Sequence, residues 1–316
     1  MSDSMNIVEV NGLSKAYGRK KPKIYAVHNV SFSIHKGEIL GLVGESGCGK
    51  STLGRLLLRL ENPTKGAICF DGQDITNFSF GEMRKIRNRM QMIFQGSSNA
   101  FNPYYTVRQI ISEPLQNYRK MNASERDDCI VSMLEMVGLD CSYMERYSHE
   151  LSGGQRQRVG IARALILEPD FVVCDEAVSS IDFALKKQIL KILADLKKKN
   201  GYTYLFISHD MTAVNAVCDR VMVMYLGNIM EILPHTDTKA MHPYTQALMA
   251  ATLEPDPCIR REKKVLFKES GELTIPKSGC VFQSRCLYTQ EKCMCQCPEL
   301  REINDGHLVA CHYIKK

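Results

Sequence analysis

Nine residues, Gly44-Glu-Ser-Gly-Cys-Gly-Lys-Ser-Thr52, constrain this chain more than any other stretch. Gly44, Gly49, Lys50 and Ser51 stand at the fixed places of the phosphate-loop pattern G-x-x-x-x-G-K-[ST]. The run before it, from Glu38, reads as a buried strand, and the leucine-rich run from Leu53 to Leu60 reads as a helix. A strand that turns sharply into a helix aims several backbone N–H groups at one point, where the helix dipole also favours an anion. The expected ligand is a nucleoside triphosphate. Gly44, Glu45, Ser46, Gly47, Cys48, Gly49, Lys50, Ser51 and Thr52 would line its phosphates, with Lys50 reaching the β- and γ-phosphates and Ser51 ligating Mg²⁺.

A nucleotide held there needs further groups, and the chain offers them in order. Tyr17 lies upstream and can stack on an adenine ring or pack as a strand residue on the core. The apolar strand from Met90 ends on Gln95, whose amide can contact Mg²⁺ or its water or simply cap the strand. Phe171-Val-Val-Cys-Asp175-Glu176 is a short strand ending in two acids. Asp175 there can hold Mg²⁺ through water, and Glu176 can polarise an attacking water. The strand from Tyr202 ends at His209, on the sheet edge where ligands bind in open α/β sheets, so His209 is a candidate γ-phosphate sensor. Leu151-Ser-Gly-Gly-Gln155 opens a second helix, expected over Val159 to Leu167. Ser152, Gly153, Gly154 and Gln155 lack the lysine and the preceding strand of a phosphate loop. One nucleotide has no use for two such sites, so these four residues are expected to cap the nucleotide of a second subunit.

Around these motifs the pattern is strand, then helix. Alternating apolar residues between Met5 and Ile34 predict antiparallel strands, and Val107 to Tyr147 reads as helical, with a capping box at Ser124 and Asp127. Phe183 to Asn200 is an amphipathic helix ended by Gly201. No apolar run approaches the roughly 18 residues of a membrane-spanning helix. Met1 to Val10 has no signal-peptide pattern, which predicts a cytoplasmic location. The net charge of +6 is mild, and its basic clusters (Arg19 to Lys23, Lys197 to Lys199, Arg260 to Lys264) read as solvated surface rather than a nucleic-acid footprint.

The order of phosphate loop, Gln95, Leu-Ser-Gly-Gly-Gln, strand-Asp-Glu, Ser179-Ser-Ile-Asp182 and Ser-His-Asp resembles the ATP-binding subunit of an ABC transporter, over roughly residues 5 to 235. Gly-Glu-Ser-Gly-Cys-Gly-Lys-Ser-Thr, Met-Gln-Met-Ile-Phe-Gln and Gln-Arg-Gln-Arg-Val-Gly-Ile-Ala-Arg-Ala-Leu are most similar to the F-type ATPase of dipeptide/oligopeptide importers. The resemblance implies an α/β fold of the P-loop NTPase ABC ATPase type: a mixed sheet core, an antiparallel β subdomain, a helical subdomain (about 96–155) and a small Cys-rich C-terminal extension. The ATP-binding domain would span 1–235 and the extension 236–316. The resemblance also implies ATP and Mg²⁺ as ligands, a head-to-tail dimer with a related D-type ATPase, two permease subunits and an extracytoplasmic binding protein. The chain would sit on the cytoplasmic face of the membrane. Glu176 would be the general base, and Asp182 would belong to the dimer-facing loop. Two departures touch this region: Ala177 stands where the family usually has proline, and Ile181 where it usually has leucine. Nickel, metallophore and glutathione importers use similar subunits. Soluble ABC ATPases acting on DNA or ribosomes carry coiled-coil insertions or paired cassettes that this sequence lacks.

The tail is unusual in its cysteines. Of 13 in the chain, seven crowd between Cys258 and Cys311. A reducing compartment argues against disulfides and for a metal or iron–sulfur centre, with free thiols as the alternative. His242-Pro-Tyr-Thr-Gln-Ala-Leu and Gly279-Cys-Val-Phe-Gln-Ser-Arg-Cys286 resemble the extension of peptide-importer ATPases. In that family four cysteines can hold a [4Fe–4S] cluster, and the matching positions are Cys280, Cys286, Cys293 and Cys311. Cys295 and Cys297 are substitutes for the third ligand. Zinc prefers tighter Cys pairs than Cys280 and Cys286.

Overall fold

The computed structural model describes residues 5–18, 24–94, 101–178, 183–250, 276 and 278–314. From the N-terminus, β1 (Asn6–Tyr17) pairs antiparallel with β2 (Ile24–His35). Next, β3 (Ile39–Val43) and α1 (Lys50–Leu57) flank the phosphate loop. With β4 (Lys65–Phe70) and β5 (Gln73–Asp74) the first pair becomes a four-stranded antiparallel sheet of order β2-β1-β4-β5. Then α2 (Phe80–Ile86) and β6 (Met90–Ile93) precede the helical region of α3 (Val107–Tyr118), α4 (Ala123–Met136) and α5 (Gly153–Leu165). Strand–helix alternation resumes with β7 (Phe171–Asp175), α6 (Phe183–Asn200), β8 (Thr203–Ile207), α7 (Met211–Val217) and β9 (Arg220–Tyr225). The chain closes with β10 (Asn228–Leu233), α8 (Pro243–Ala250), α9 (Glu291–Cys295), β11 (Arg301–Asn304) and β12 (His307–Val309).

The second sheet has the order β11-β12-β10-β9-β3-β8-β7-β6. Its five central and edge strands β9, β3, β8, β7 and β6 run parallel. Every residue of β3, β7 and β8 is buried, as expected of parallel strands covered on both faces. The two-residue alternation of a strand divides them between two cores. Leu40, Leu42, Val173, Leu205 and Ile207 pack with α1 and the antiparallel sheet. Val43, Val172, Cys174, Tyr204 and Phe206 pack with the helical region, α6 and α7. Because the strands are parallel, Val43, Asp175 and Ile207 end at one sheet edge, and that edge carries the chemistry. The C-terminal hairpin β11–β12 joins the same sheet, β12 pairing antiparallel with β10.

Three local expectations are corrected. The box that starts α4 is Asn122 with Glu125, not Ser124 with Asp127: the chain turns helical at Ala123, so the Asn122 side chain is the one that reaches the Glu125 N–H. The helix expected from Val159 begins at Gly153, because Ser152 caps it. Lys197 is not merely solvated. Its ammonium lies 2.6 Å from Asp219, whose other bond, from the Ile39 N–H, ties the end of α6 to the start of β3. The basic runs at 19–23 and 260–264 lie outside the described residues.

Candidate nucleotide site

The loop between β3 and α1 is built around Lys50. Its ammonium donates to the Gly44 and Glu45 carbonyls at 2.8 and 2.9 Å and lies 3.8 Å from Cys48 Sγ, with the side chain almost fully buried. Burial pushes the Cys48 thiol up, against the opposing charge of Lys50, so it stays neutral. Gly49 takes φ 109°, and a Cβ there would meet the Ala26 carbonyl oxygen at 1.9 Å, so only glycine fits.

At the same sheet edge the Ser51 hydroxyl donates to Asp175 Oδ1 at 2.8 Å. Burial raises the Asp175 carboxyl, with the Ser51 bond and the charge of Arg55 opposing the shift. A hydroxyl and a carboxylate are hard oxygen donors of the kind Mg²⁺ takes alongside waters and substrate phosphates. Glu176 follows at φ 48°, a conformation uncommon for a non-glycine residue, with its N–H bonded to the Ile207 carbonyl at 3.1 Å. This local strain is of the sort that concentrates at functional sites. His209 Nδ1 stands 3.5 Å from Glu176 Oε1, and the His209 side chain is 57% exposed, so it is open to a ligand. Lys50, Ser51, Asp175, Glu176 and His209 are thus brought to one edge.

Tyr17 ends β1 with its ring partly exposed. Its hydroxyl bonds to Glu61, and Lys15 Nζ lies 5.1 Å from the ring centroid. Burial and Glu61 raise its phenol, with Thr52 and the charge of Arg55 opposing the shift. Gln95 and Asp182 lie outside the described residues.

Ser152, Gly153, Gly154 and Gln155 form a reciprocal cap at the start of α5. Ser152 Oγ accepts from the Gln155 N–H, and Gln155 Oε1 accepts from the Ser152 N–H. The Gln155 amide is further fixed by donating to Tyr143 Oη at 2.9 Å. Gly153 faces open space, whereas a Cβ at Gly154 would lie 2.1 Å from Leu185 Cδ2.

In the extension, Cys280, Cys286, Cys293 and Cys311 are buried while Cys295 and Cys297 are exposed. Of the alternating Cys293, Cys295 and Cys297, only Cys293 is buried. Cys280 is pushed up to about 12 by burial, with the charges of Cys293, Cys311 and Cys286 adding to it. Among the described residues no three His, Cys, Asp or Glu side chains are arranged to hold a single metal ion.

Sequence reasoning missed a buried carboxylate. Glu231 in β10 accepts from the Met241 and His242 N–H groups at 2.7 and 3.1 Å and pairs with His307 Nε2 at 2.8 Å, with Glu231, His242 and His307 well buried. A single acid in the apolar run Asn-Ile-Met-Glu-Ile-Leu was the available signal. It clamps the extension to the core sheet.

Comparison with known proteins points the same way. Residues 27–179 match the ABC transporter family, and residues 230–293 match the oligopeptide/dipeptide transporter C-terminal region. A putative peptide import ATP-binding protein of Brucella ovis is 46% identical over 307 residues, covering 96% of this chain and 97% of the relative. The oligopeptide transport ATP-binding protein AppF of Bacillus subtilis is 44% identical over 304 residues, covering 95% and 92%. Among solved structures, a dimeric ATP-binding cassette in a post-hydrolysis state with ADP and Pi superposes with a TM-score of 0.65 at 29% identity, covering 70% of this chain and 96% of that one. CbiO1 of Clostridium perfringens, part of an ABC transporter complex, gives 0.66 at 28% identity, covering 72% and 88%.

Proposed function

The chain belongs to the family of ABC transporter ATP-binding proteins and is an ATPase that uses ATP and Mg²⁺; from that premise we propose that it powers the import of di- and oligopeptides. The observation that carries the cargo class is similarity at the level of the whole chain, including the C-terminal region at residues 230–293, to proteins named for peptide import. Among the described residues no helix is long and apolar enough to cross a membrane. As an importer ATPase the chain would work bound to permease subunits at the cytoplasmic face. Its nearest partner in the assembly would be a related D-type ATPase, and a binding protein outside the membrane would deliver the peptide.

In this reading, Lys50 and the backbone of Gly44 to Thr52 hold the phosphates and Tyr17 meets the adenine. Ser51 and Asp175 would hold Mg²⁺, with Gln95 as a further candidate outside the described residues, and the ion when bound would neutralise phosphate charge. Glu176 accepts the proton of the attacking water, and His209, beside it, senses the γ-phosphate. Ser152 to Gln155 serve the partner's ATP: their cap is rigid before any ligand arrives, and Gly153 leaves its approach clear. Asp182, outside the described residues, would belong to the dimer-facing loop.

The extension would hold a [4Fe–4S] cluster through Cys280, Cys286, Cys293 and Cys311. Support comes from the burial of these four thiols, and thiolates are the ligands such clusters take. Anaerobic purification with iron and sulfide analysis tests this, and iron-free protein with stoichiometric zinc would refute it. The transport reading is tested by purifying the complex that this chain forms with its permeases. Peptide-dependent uptake supports it; uptake of nickel or a metallophore alone overturns the cargo.

A further inference from the structure

The phosphate loop is gripped from outside the segment that forms it. The Glu45 N–H donates to Tyr244 Oη at 3.0 Å, and both Glu45 carboxylate oxygens accept from Arg285 Nη1, at 2.8 and 2.9 Å. The same Nη1 lies 3.4 Å from Tyr225 Oη. The Arg285 side chain is only 12% exposed, and its guanidinium carbon lies 5.7 Å from the Tyr225 ring centroid and 5.8 Å from that of Phe282. Tyr225, Tyr244 and Phe282 form a packed triad, with centroids 4.7 to 5.4 Å apart. A residue at the end of β9, one in α8 and one in the cysteine turn therefore converge on one position of the loop.

The arrangement answers an electrostatic problem. A glutamate in a loop that receives a polyanion repels it unless the charge is cancelled, and the repulsion strengthens where water is scarce. Arg285, itself enclosed by the surrounding rings, cancels it with a charge-assisted pair. Tyr244 fixes the backbone on the other side of the same residue. Tyr244 is itself placed by His242, whose Nδ1 accepts from the Tyr244 N–H at 3.0 Å, and by the clamp of Glu231 on the His242 N–H.

We infer that Arg285 and Tyr244 are positioning residues for nucleotide binding, holding Glu45 so that the phosphate loop is neutralised and shaped for a triphosphate, and that the C-terminal extension is in this way part of the ATP site. The inference rests on ATP binding at Gly44 to Thr52. It assigns to the extension a role in nucleotide affinity, independent of whether the cysteines hold iron.

The test is titration of the full chain with a fluorescent ATP analogue. Arg285→Gln leaves Glu45 unpaired and should weaken affinity roughly 5- to 10-fold, while Arg285→Lys, which keeps the charge, stays within about threefold. Glu45→Gln added to Arg285→Gln should restore most of the loss, because the uncompensated carboxylate is gone. A purely structural Arg285 would not be rescued this way. Tyr244→Phe should weaken affinity several-fold through the Glu45 backbone. In the assembled transporter, Arg285→Gln should raise KM for ATP with kcat largely kept. Unchanged affinity in Arg285→Gln, or a double variant as weak as the single one, overturns the inference. Lys50→Ala is the separate control: if that variant also binds normally, the nucleotide reading itself fails.

Discussion

The Ser51 hydroxyl donates to Asp175 Oδ1 at 2.8 Å across 124 residues of sequence. One residue starts the helix after the phosphate loop and the other ends β7, and two strands of the parallel sheet bring them together. Oxygen donors for Mg²⁺ are thereby joined by the sheet itself, not by a local turn.

Burial raises the Asp175 carboxyl above its ordinary range. A raised carboxyl keeps its proton to higher pH, and proton and metal compete for the same oxygens. The Mg²⁺ concentration needed for nucleotide binding should therefore climb as pH falls, beginning at a higher pH than an ordinary carboxylate would give. Asp175→Asn should abolish that pH dependence and lower Mg²⁺-dependent affinity, which calorimetric titration across pH would read.

His242 is buried and held down to about 3 by that burial, against an ordinary value of 6.5. Its folded form stays neutral where the unfolded chain would take a proton. Stability is thus greatest above 6.5 and is lost as pH falls from there toward 3, at a limiting slope of about 1.4 kcal/mol per pH unit. His242→Asn keeps an acceptor for the Tyr244 N–H without titrating. Its melting temperature should fall less steeply between pH 6.5 and 5 than that of the parent.

Gly154 touches Leu185, and a methyl group there would sit 2.1 Å from Leu185 Cδ2. Gly154→Ala should cost about 1–3 kcal/mol by overpacking, measured by denaturant unfolding. Adding Leu185→Ala should make the pair less unstable than the sum of the single variants. Additive losses would place the strain elsewhere.

Much of this site was legible before the fold was known, because its motifs encode local shapes. A glycine-rich turn between a buried strand and a helix already fixes where an anion can sit, and α6 falls at Phe183–Asn200 as its periodicity indicates. The cap of α4 was misplaced because Ser124 and Asn122 are both good caps, and only the actual turn of the chain chooses between them. Spacing could not choose among Cys293, Cys295 and Cys297, and of these three only Cys293 is buried in the fold. The Arg285–Glu45 pair was out of reach, since 240 residues separate the partners and their meeting depends on how the extension closes over the sheet. Glu231 was hidden for the same reason: its partners lie in segments that fold back onto β10 only in three dimensions.

The role of Glu176 as general base of a peptide-coupled ATPase is tested most directly by ATP turnover in the transporter reconstituted with its permeases and binding protein. Glu176 lies at the strand end beside Asp175, with His209 Nδ1 3.5 Å from its carboxylate. Turnover should rise when peptide-loaded binding protein is added. With Glu176→Gln it should fall at least about 100-fold, in keeping with the 10²–10⁴-fold worth of a positioned base, while ATP still binds. Turnover indifferent to peptide and unchanged in Glu176→Gln would contradict it.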